Sequence, residues 1–151
     1  MYTRVAVVRH VKDLTFVGKA GSNHWTTIDA SHHGSIPAAT SPMELVLVAL
    51  GSCTCSDVVG ILEKKKARFD SFEITVTAER AEKDPKVYTA IHVEYVIKGE
   101  DVREKDLVHA IELSMTKYCS VSAMVKKSVA LTYSHRILKK GVPAVEVKRE
   151  D

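Results

Sequence analysis

The chain has 151 residues, of which 45% are hydrophobic and 27% charged, a balance typical of one globular domain with its own apolar core. Its three cysteines are too few and too irregularly spaced for the disulfide framework of a small secreted protein. The net charge of only +3 gives little support to nucleic-acid binding, and the charged N-terminal segment resembles neither a signal peptide nor a membrane span. We therefore expect a cytoplasmic protein with no nucleic-acid or membrane partner.

Three short β-rich segments open the chain, at residues 3–11, 14–18 and 25–30. The polar stretches between them contain Lys-Asp and Gly-Ser-Asn, which are typical of hairpin connections. A polar loop over residues 31–40 follows and carries two adjacent histidines, His32 and His33. The sequence thus predicts an N-terminal set of antiparallel strands that ends in a polar loop.

A long helix is predicted from residue 42 to residue 66. Ser41 stands at the N-cap position, Pro42 at the first helical position and Glu44 at the third, which is the capping-box pattern. The run over residues 45–50 is apolar on every face of such a helix. We therefore expect other parts of the protein to cover this helix on all sides.

The second half of the chain alternates between strand and helix patterns. Strands are predicted at residues 72–80, 87–97 and 129–137, and helices at residues 103–118 and 119–127. Ser120 is the expected N-cap of the second of these helices. No repeat or linker interrupts the pattern, so the sequence predicts one α+β domain over residues 1–138 and a loose, charged tail over residues 139–151.

Two of the three cysteines, Cys53 and Cys55, lie one residue apart in the predicted long helix. Residues two positions apart on a helix point about 200° away from each other, so these thiols face different neighbours and do not bond to each other. This divergence, and the lack of a CxxC or HxxxH pattern, argue against a metal site built on that helix. No metal and no cofactor are expected.

Cys53 and Cys119 occupy positions where thiols could meet. Cys53 shares its helix face with Val46, Ala49 and Leu50, and we expect that face to pack inward. Cys119 lies at the junction of the two later helices, where free backbone N–H groups are expected to lower the pKa of its thiol. The residues alone leave open whether these are inert core cysteines or a reactive pair.

Three motifs, taken in order, resemble the OsmC/Ohr superfamily: Ser41-Pro-Met-Glu-Leu, Cys53 nine residues after Glu44, and Lys117-Tyr-Cys-Ser-Val-Ser. The resemblance is greatest to its YhfA-type OsmC-like branch and extends over residues 14–137. It implies an intertwined homodimer in which antiparallel sheets wrap around long central helices, and in which the N-terminal strands of each chain complete the partner's sheet.

The resemblance also implies an activity. Such a protein would be a thiol-dependent peroxidase that reduces organic hydroperoxides, and hydrogen peroxide as a further substrate, in oxidative stress defence. Cys53 would be the peroxidatic nucleophile and Cys119 the resolving thiol, and an external dithiol would reduce the resulting disulfide. Cys55 matches no family cysteine and is interpreted as a packing residue.

Two positions differ from the family pattern. Hydroperoxide-reducing members carry a glutamate ten residues before the first cysteine, where this chain has Met43, and the adjacent Glu44 is turned away by about 100° on a helix. Those members also use an arginine ahead of the central helix, and this chain has no arginine between His10 and Ala67. The candidates to activate Cys53 or to line its site are Glu44, Met43, His32, His33, Lys19 and Arg80, the last through the dimer.

Two other functions are compatible with the sequence. One is a non-catalytic dimer that binds a small apolar molecule among residues such as Met43, Met115 and Met124. The other is a redox sensor in which the disulfide acts as a switch and turnover is negligible. Replacement of Cys53 separates a binder, which keeps its ligand, from a peroxidase, which loses turnover.

Overall fold

The computed structural model describes residues 3–31 and 36–139. Its elements in chain order are β1 (Val7–Lys12), β2 (Thr15–Lys19), β3 (Thr26–Asp29), α1 (Pro42–Lys64), β4 (Ser71–Arg80), β5 (Tyr88–Lys98), α2 (Glu104–Leu113), a π-helical turn (Ser114–Tyr118), α3 (Ser120–Val125) and β6 (Ala130–Leu138). The chain forms two compact units, residues 1–48 and residues 49–151. Most of the predicted tail, from residue 140, lies outside the described residues.

The first unit contains a three-stranded antiparallel sheet in the order β1-β2-β3. The predicted strands are confirmed, except that β1 begins at Val7 rather than at residue 3. All six residues of β1 are exposed in the single chain, including the large apolar side chains of Val7, Val8 and Val11. This sheet therefore leaves an apolar surface uncovered.

The second unit contains a three-stranded sheet in the order β4-β5-β6. β4 and β5 form the predicted antiparallel hairpin, with Val76 opposite Val93. β6 pairs with β5 in parallel, with Tyr133 beside Val93, whereas antiparallel sheets were predicted. The prediction was wrong for this pair. The strands are connected by a long crossover through α2 and α3, which allows β6 to run in the same direction as β5. The α+β class itself is confirmed.

α1 begins with the predicted capping box. The Ser41 N–H donates to Glu44 Oε2 at 2.7 Å, and the Glu44 N–H donates to Ser41 Oγ at 3.3 Å. The Ser41 backbone N–H and, to a smaller extent, the Ser41 side chain donate to the Glu44 carboxylate and lower its pKa below its usual range. The capping box thus fixes where the helix starts, as the sequence indicated.

The buried face of α1 differs from the prediction by one position. Its buried residues follow the helical repeat and are Leu50, Gly51, Thr54, Val58 and Leu62. The strand β4 approaches this face so closely that a Cβ added to Gly51 would lie 3.2 Å from Val76 Cγ2. Thr54 rather than Cys53 therefore points into the core, and Cys53 lies at its edge, half-buried.

The other faces of α1 are less covered than predicted. Val46 and Val48 keep 38% and 58% of their surface exposed in the single chain. By length and composition alone the helix would also suit a membrane span, with a mean hydropathy of 2.0. Its contact with β4 and its completely buried Leu50, Val58 and Leu62 favour a core helix of a packed protein instead.

The helix predicted over residues 103–118 is divided in two. α2 is regular as far as Leu113, and the next five residues form the π-helical turn. Cys119 leaves this turn with an extended backbone, φ −68° and ψ 101°, and is the N-cap of α3. The prediction that Ser120 is the cap was wrong by one residue, because the sulfur of Cys119 accepts the Ser122 N–H bond that a capping oxygen would otherwise accept.

Candidate functional site

Three side chains that can donate an electron pair meet in the second unit. The two sulfur atoms of Cys53 and Cys119 and a carboxylate oxygen of Asp57 all lie within 4.8 Å of one another. Cys53 and Asp57 are half-buried, and Cys119 is only 2% exposed. The three cysteines of the chain are unbonded. The fold therefore brings together two thiols that are 66 residues apart in sequence.

The helical repeat of α1 places two of these groups side by side. Cys53 and Asp57 are four residues apart, so both point to the same side of the helix, one turn above the other. Cys55 lies on another face; it is half-buried, and burial raises the pKa of its thiol. These positions agree with the expectation that Cys53 and Cys55 have different neighbours.

Cys119 owes its position to the end of the π-helical turn. Its backbone N–H donates to the Ser114 carbonyl at 2.9 Å, and its sulfur accepts the Ser122 N–H at 3.3 Å. Burial raises the pKa of the Cys119 thiol above its usual value; the bonds from Ser122 lower it, and the neighbouring Cys53 raises it further. The predicted decrease was wrong, because the loss of hydration outweighs the contribution of the helix N-terminus.

A chain of buried hydroxyl groups leads from the sheet to Asp57. Tyr95 Oη lies 2.6 Å from Thr54 Oγ1, which lies 2.8 Å from Ser114 Oγ, which donates to Asp57 Oδ2 at 2.9 Å. An ionised carboxylate only accepts, so each hydroxyl in the chain must donate toward Asp57 and Tyr95 is the first donor. Burial raises the pKa of Tyr95 to about 12, which keeps its proton in place at neutral pH.

An open cleft of about 490 Å³ begins beside the cluster. Its lining residues are Ser56, Asp57, Gly60, Ile61, Lys64, Lys65, Leu113 and Tyr118. The walls combine apolar side chains with lysines at the end of α1, and Lys65 is paired with Asp106 at 3.2 Å. A small organic molecule in this cleft would reach Asp57, and the half-buried Cys53 lies one helical turn away.

The structure places the other candidate residues in structural contacts of their own. Glu44 belongs to the capping box, and the half-buried Met43 lies in the same first turn of α1. Arg80 donates to the Lys86 carbonyl at 3.0 Å and lies over the Tyr88 ring, while the Nζ of Lys19 donates to Asn23 at 2.6 Å. His32 and His33 lie outside the described residues.

The methionines predicted to line an apolar site do not line this cleft. Met115 is only 6% exposed and belongs to the core, whereas Met124 is 64% exposed. Neither is among the residues that form the walls. These two residues therefore give no support to an apolar binding site in the part of the chain that the structure describes.

Asp57 is the functional candidate that the sequence analysis missed. Its spacing of four from Cys53 was visible and indicates a shared helix face. The missing information was the position of Cys119. Only the folded chain shows that Cys119 lies against the face of α1 that carries Cys53 and Asp57. A Cys-x-x-x-Asp pattern on a predicted helix is the signal that could have raised the question.

Comparison with known proteins relates this chain to one family. The family described as OsmC-like protein matches residues 32–134. Protein YhfA of Escherichia coli strain K12 is 37% identical over 133 residues, which cover 88% of this chain and 97% of YhfA. A crystal structure of a hypothetical protein from Aquifex aeolicus VF5 is 36% identical, with a TM-score of 0.83 over 93% of this chain and 99% of that chain.

A more distant crystal structure shares the fold. It is an organic hydroperoxide resistance protein OsmC from Legionella pneumophila, which is 14% identical and aligns with a TM-score of 0.65. The alignment covers 89% of this chain and 97% of that chain. At this level of identity the likeness concerns the fold alone.

The hydroxyl chain should contribute measurably to stability. Thr54→Val keeps the shape of the side chain but leaves Tyr95 without its acceptor and Ser114 without its donor, which should lower the free energy of unfolding by about 1–3 kcal/mol. Urea denaturation followed by circular dichroism measures this loss. The control Ser52→Ala, on an exposed position of α1, should change it by no more than about 0.5 kcal/mol. Equal changes in the free energy of unfolding in Thr54→Val and Ser52→Ala would show that the hydrogen bonds of the buried hydroxyl groups do not stabilise the fold.

The buried position of Cys119 should appear in its pH dependence. In the double variant Cys53→Ser, Cys55→Ser, the rate at which iodoacetamide alkylates Cys119 should reach half its plateau above the ordinary thiol pKa of 9.0. Burial, the largest cause of the increase, persists in this variant, so the protonated thiol remains favoured at neutral pH. A midpoint below 9.0 would mean that the helix N-terminus, and not burial, controls this thiol.

Proposed function

Because this chain belongs to the OsmC-like protein family, we propose that it is a thiol-dependent peroxidase that reduces organic hydroperoxides with Cys53 and Cys119. Family membership confirms the resemblance inferred from the Ser-Pro-Met-Glu helix start and the two cysteine contexts. The observation that carries the proposed activity is the pairing of these two sulfur atoms, which lie within 4.8 Å of each other on the second unit. The name of the Legionella protein, which concerns organic hydroperoxide resistance, supports the choice of substrate.

The burial of the two thiols supports their separate roles. Cys53 is half-buried, and its sulfur lies within 4.8 Å of a carboxylate oxygen of Asp57, which lines the open cleft, so the proposed path of a hydroperoxide to this sulfur runs past Asp57. Cys119 is 2% exposed and its pKa is raised, so it remains a protonated thiol that substrate does not meet first. Cys53 is therefore the proposed peroxidatic residue and Cys119 the proposed resolving residue.

The proposed reaction has two steps on the protein. The Cys53 thiol loses its proton, and the thiolate attacks the terminal oxygen of the hydroperoxide. The O–O bond breaks, the alkoxide takes up a proton and leaves as the alcohol, and Cys53 becomes a sulfenic acid. The Cys119 thiol then attacks the Cys53 sulfur and gives up its proton, the sulfenic hydroxyl takes up a proton and leaves as water, and a disulfide forms. The sulfur atoms, which lie within 4.8 Å of each other, must approach to about 2.05 Å for this bond to form.

An external dithiol is the proposed reductant. Two thiol–disulfide exchange steps return both cysteines to thiols and leave the reductant as a disulfide. Three irregularly spaced cysteines do not form the disulfide framework of a secreted protein, and we place the protein in the cytoplasm. Apart from the dithiol, no cofactor takes part in this cycle.

We also propose that the protein works as a homodimer. The first unit exposes a group of large apolar side chains in the single chain, namely Val5, Val7, Val8, Val11, Leu14 and Trp25. Exposed apolar surface of this kind is typical of an interface. A second copy of the chain would cover these strands and the exposed valines of α1.

Turnover with an alkyl hydroperoxide tests the proposed activity. The wild-type protein should consume cumene hydroperoxide catalytically with dithiothreitol as reductant, and Cys53→Ser should fall to the rate without protein. In the absence of added thiol, Cys119→Ser should reduce about one equivalent quickly and retain a sulfenic acid that dimedone traps, because no resolving thiol is present. The control Cys55→Ser should keep turnover.

Three outcomes of this assay would contradict the proposal. Unchanged thiols in wild-type protein at millimolar hydroperoxide would exclude peroxidase chemistry. Oxidation of Cys53 and Cys119 to the disulfide once, without continued consumption of hydroperoxide in the presence of a dithiol, would favour the redox-sensing alternative. Loss of turnover in Cys55→Ser would place the reacting thiol elsewhere on α1.

The oligomeric state can be measured separately. Analytical ultracentrifugation should give twice the mass of the chain at micromolar concentration. Val8→Glu, which places a charge on the exposed face of β1, should shift the protein toward the monomer, whereas Val87→Glu on the exposed hairpin should not. A monomer in the wild-type protein, or equal dissociation in both variants, would contradict the assignment of this sheet to the interface.

A further inference from the structure

The cluster of Cys53, Asp57 and Cys119 has the composition of a metal site as well as of a redox pair. We propose that the reduced protein binds one divalent transition-metal ion, zinc by preference, through the two sulfurs and one Asp57 carboxylate oxygen. This inference does not depend on the proposed peroxidase activity. It revises the expectation of no metal, which rested on the diverging pair Cys53 and Cys55 and did not include Asp57.

The distances are compatible with such a site. The three donor atoms lie within 4.8 Å of one another, and two thiolates at the usual Zn–S length of about 2.3 Å lie roughly 3.8 Å apart in a tetrahedron. Closure by about 1 Å is within the reach of χ1 rotations, which move a sulfur without moving its helix.

The donors also have the supporting bonds that metal ligands usually have. Ser114 Oγ donates to Asp57 Oδ2 at 2.9 Å and is itself held by the buried Thr54. The Ser122 N–H donates to the sulfur of Cys119 at 3.3 Å. Such outer contacts orient ligands and influence metal affinity.

The charge of the cluster favours a cation. With both thiols ionised, the three ligands carry a charge of −3, and within the described part of the chain Asp57 has no cationic partner at 4.0 Å or less. Soft thiolates with one carboxylate select zinc and similar ions over magnesium or calcium, which prefer oxygen ligands. A divalent ion would replace the two thiol protons and neutralise most of this charge.

Three protein ligands leave the fourth position of a tetrahedral ion open. Asp57 lines the cleft, so a water molecule from the cleft can occupy this position. Oxidation of Cys53 and Cys119 to a disulfide would remove two of the three ligands. Metal binding should therefore require the reduced protein and compete with disulfide formation.

Titration with cobalt provides a direct test. Tag-free protein, reduced with a phosphine and freed of metal with a chelator, is titrated with Co²⁺, and the thiolate-to-cobalt charge-transfer absorption is recorded. The wild-type protein and the control Cys55→Ser should each bind one Co²⁺ with this absorption, and Zn²⁺ should displace it. The same protein oxidised with diamide should show no absorption.

The ligand variants decide between a built site and adventitious binding. Cys53→Ser and Cys119→Ser should each weaken binding by more than the roughly 10- to 100-fold that loss of an outer contact costs, and Asp57→Asn should weaken it by at least that range. Circular dichroism and thermal melting establish that each variant is folded. Three results would overturn the proposal. The first is no charge-transfer absorption in the wild-type protein, and the second is Co²⁺ affinity in Cys53→Ser and Cys119→Ser equal to that of the wild-type protein. The third is loss of Co²⁺ binding in Cys55→Ser.

Discussion

The positions of Cys53 and Asp57 on α1 depend on the buried hydrogen bonds of Thr54. This hydroxyl contacts Tyr95 of β5 at 2.6 Å and Ser114 of the π-helical turn at 2.8 Å. All three residues are completely buried, so any rotation of α1 would leave polar groups unpaired in the core. Because Thr54 must face inward, Cys53 lies at the edge of the core and Asp57 lies next to it, one turn further along.

Hydrogen bonds of the π-helical turn also fix the position of Cys119. Ser114 opens the turn and donates to Asp57, while its carbonyl accepts the N–H of Cys119 at the other end. The wider turn ends α2 and allows the chain to leave in an extended conformation, so that the sulfur of Cys119 caps α3. One serine therefore holds both the carboxylate and the second thiol against α1.

Much of this arrangement could be predicted from the sequence. The capping box at Ser41 marked the start of α1, and alternation marked β4 and β5, because both signals depend only on neighbouring residues. The rotation of α1 could not be predicted, since its first half is apolar on all faces and Thr54 is inward only through its distant hydroxyl partners. Three other features could not be predicted either, because they result from packing between segments far apart in sequence. They are the end of α2 at Ser114, the parallel pairing of β6 and the raised pKa of Cys119.

The proposed redox chemistry requires that the sulfurs of Cys53 and Cys119 be close enough to react with each other, and peptide mapping of the oxidised protein measures whether they do. Reduced protein is treated with one equivalent of hydroperoxide, residual thiols are blocked, and disulfide-linked peptides are identified by mass spectrometry. The expected product is an intramolecular link between Cys53 and Cys119, with Cys55 recovered as the blocked thiol. A predominant link through Cys55, or between two chains, would contradict it.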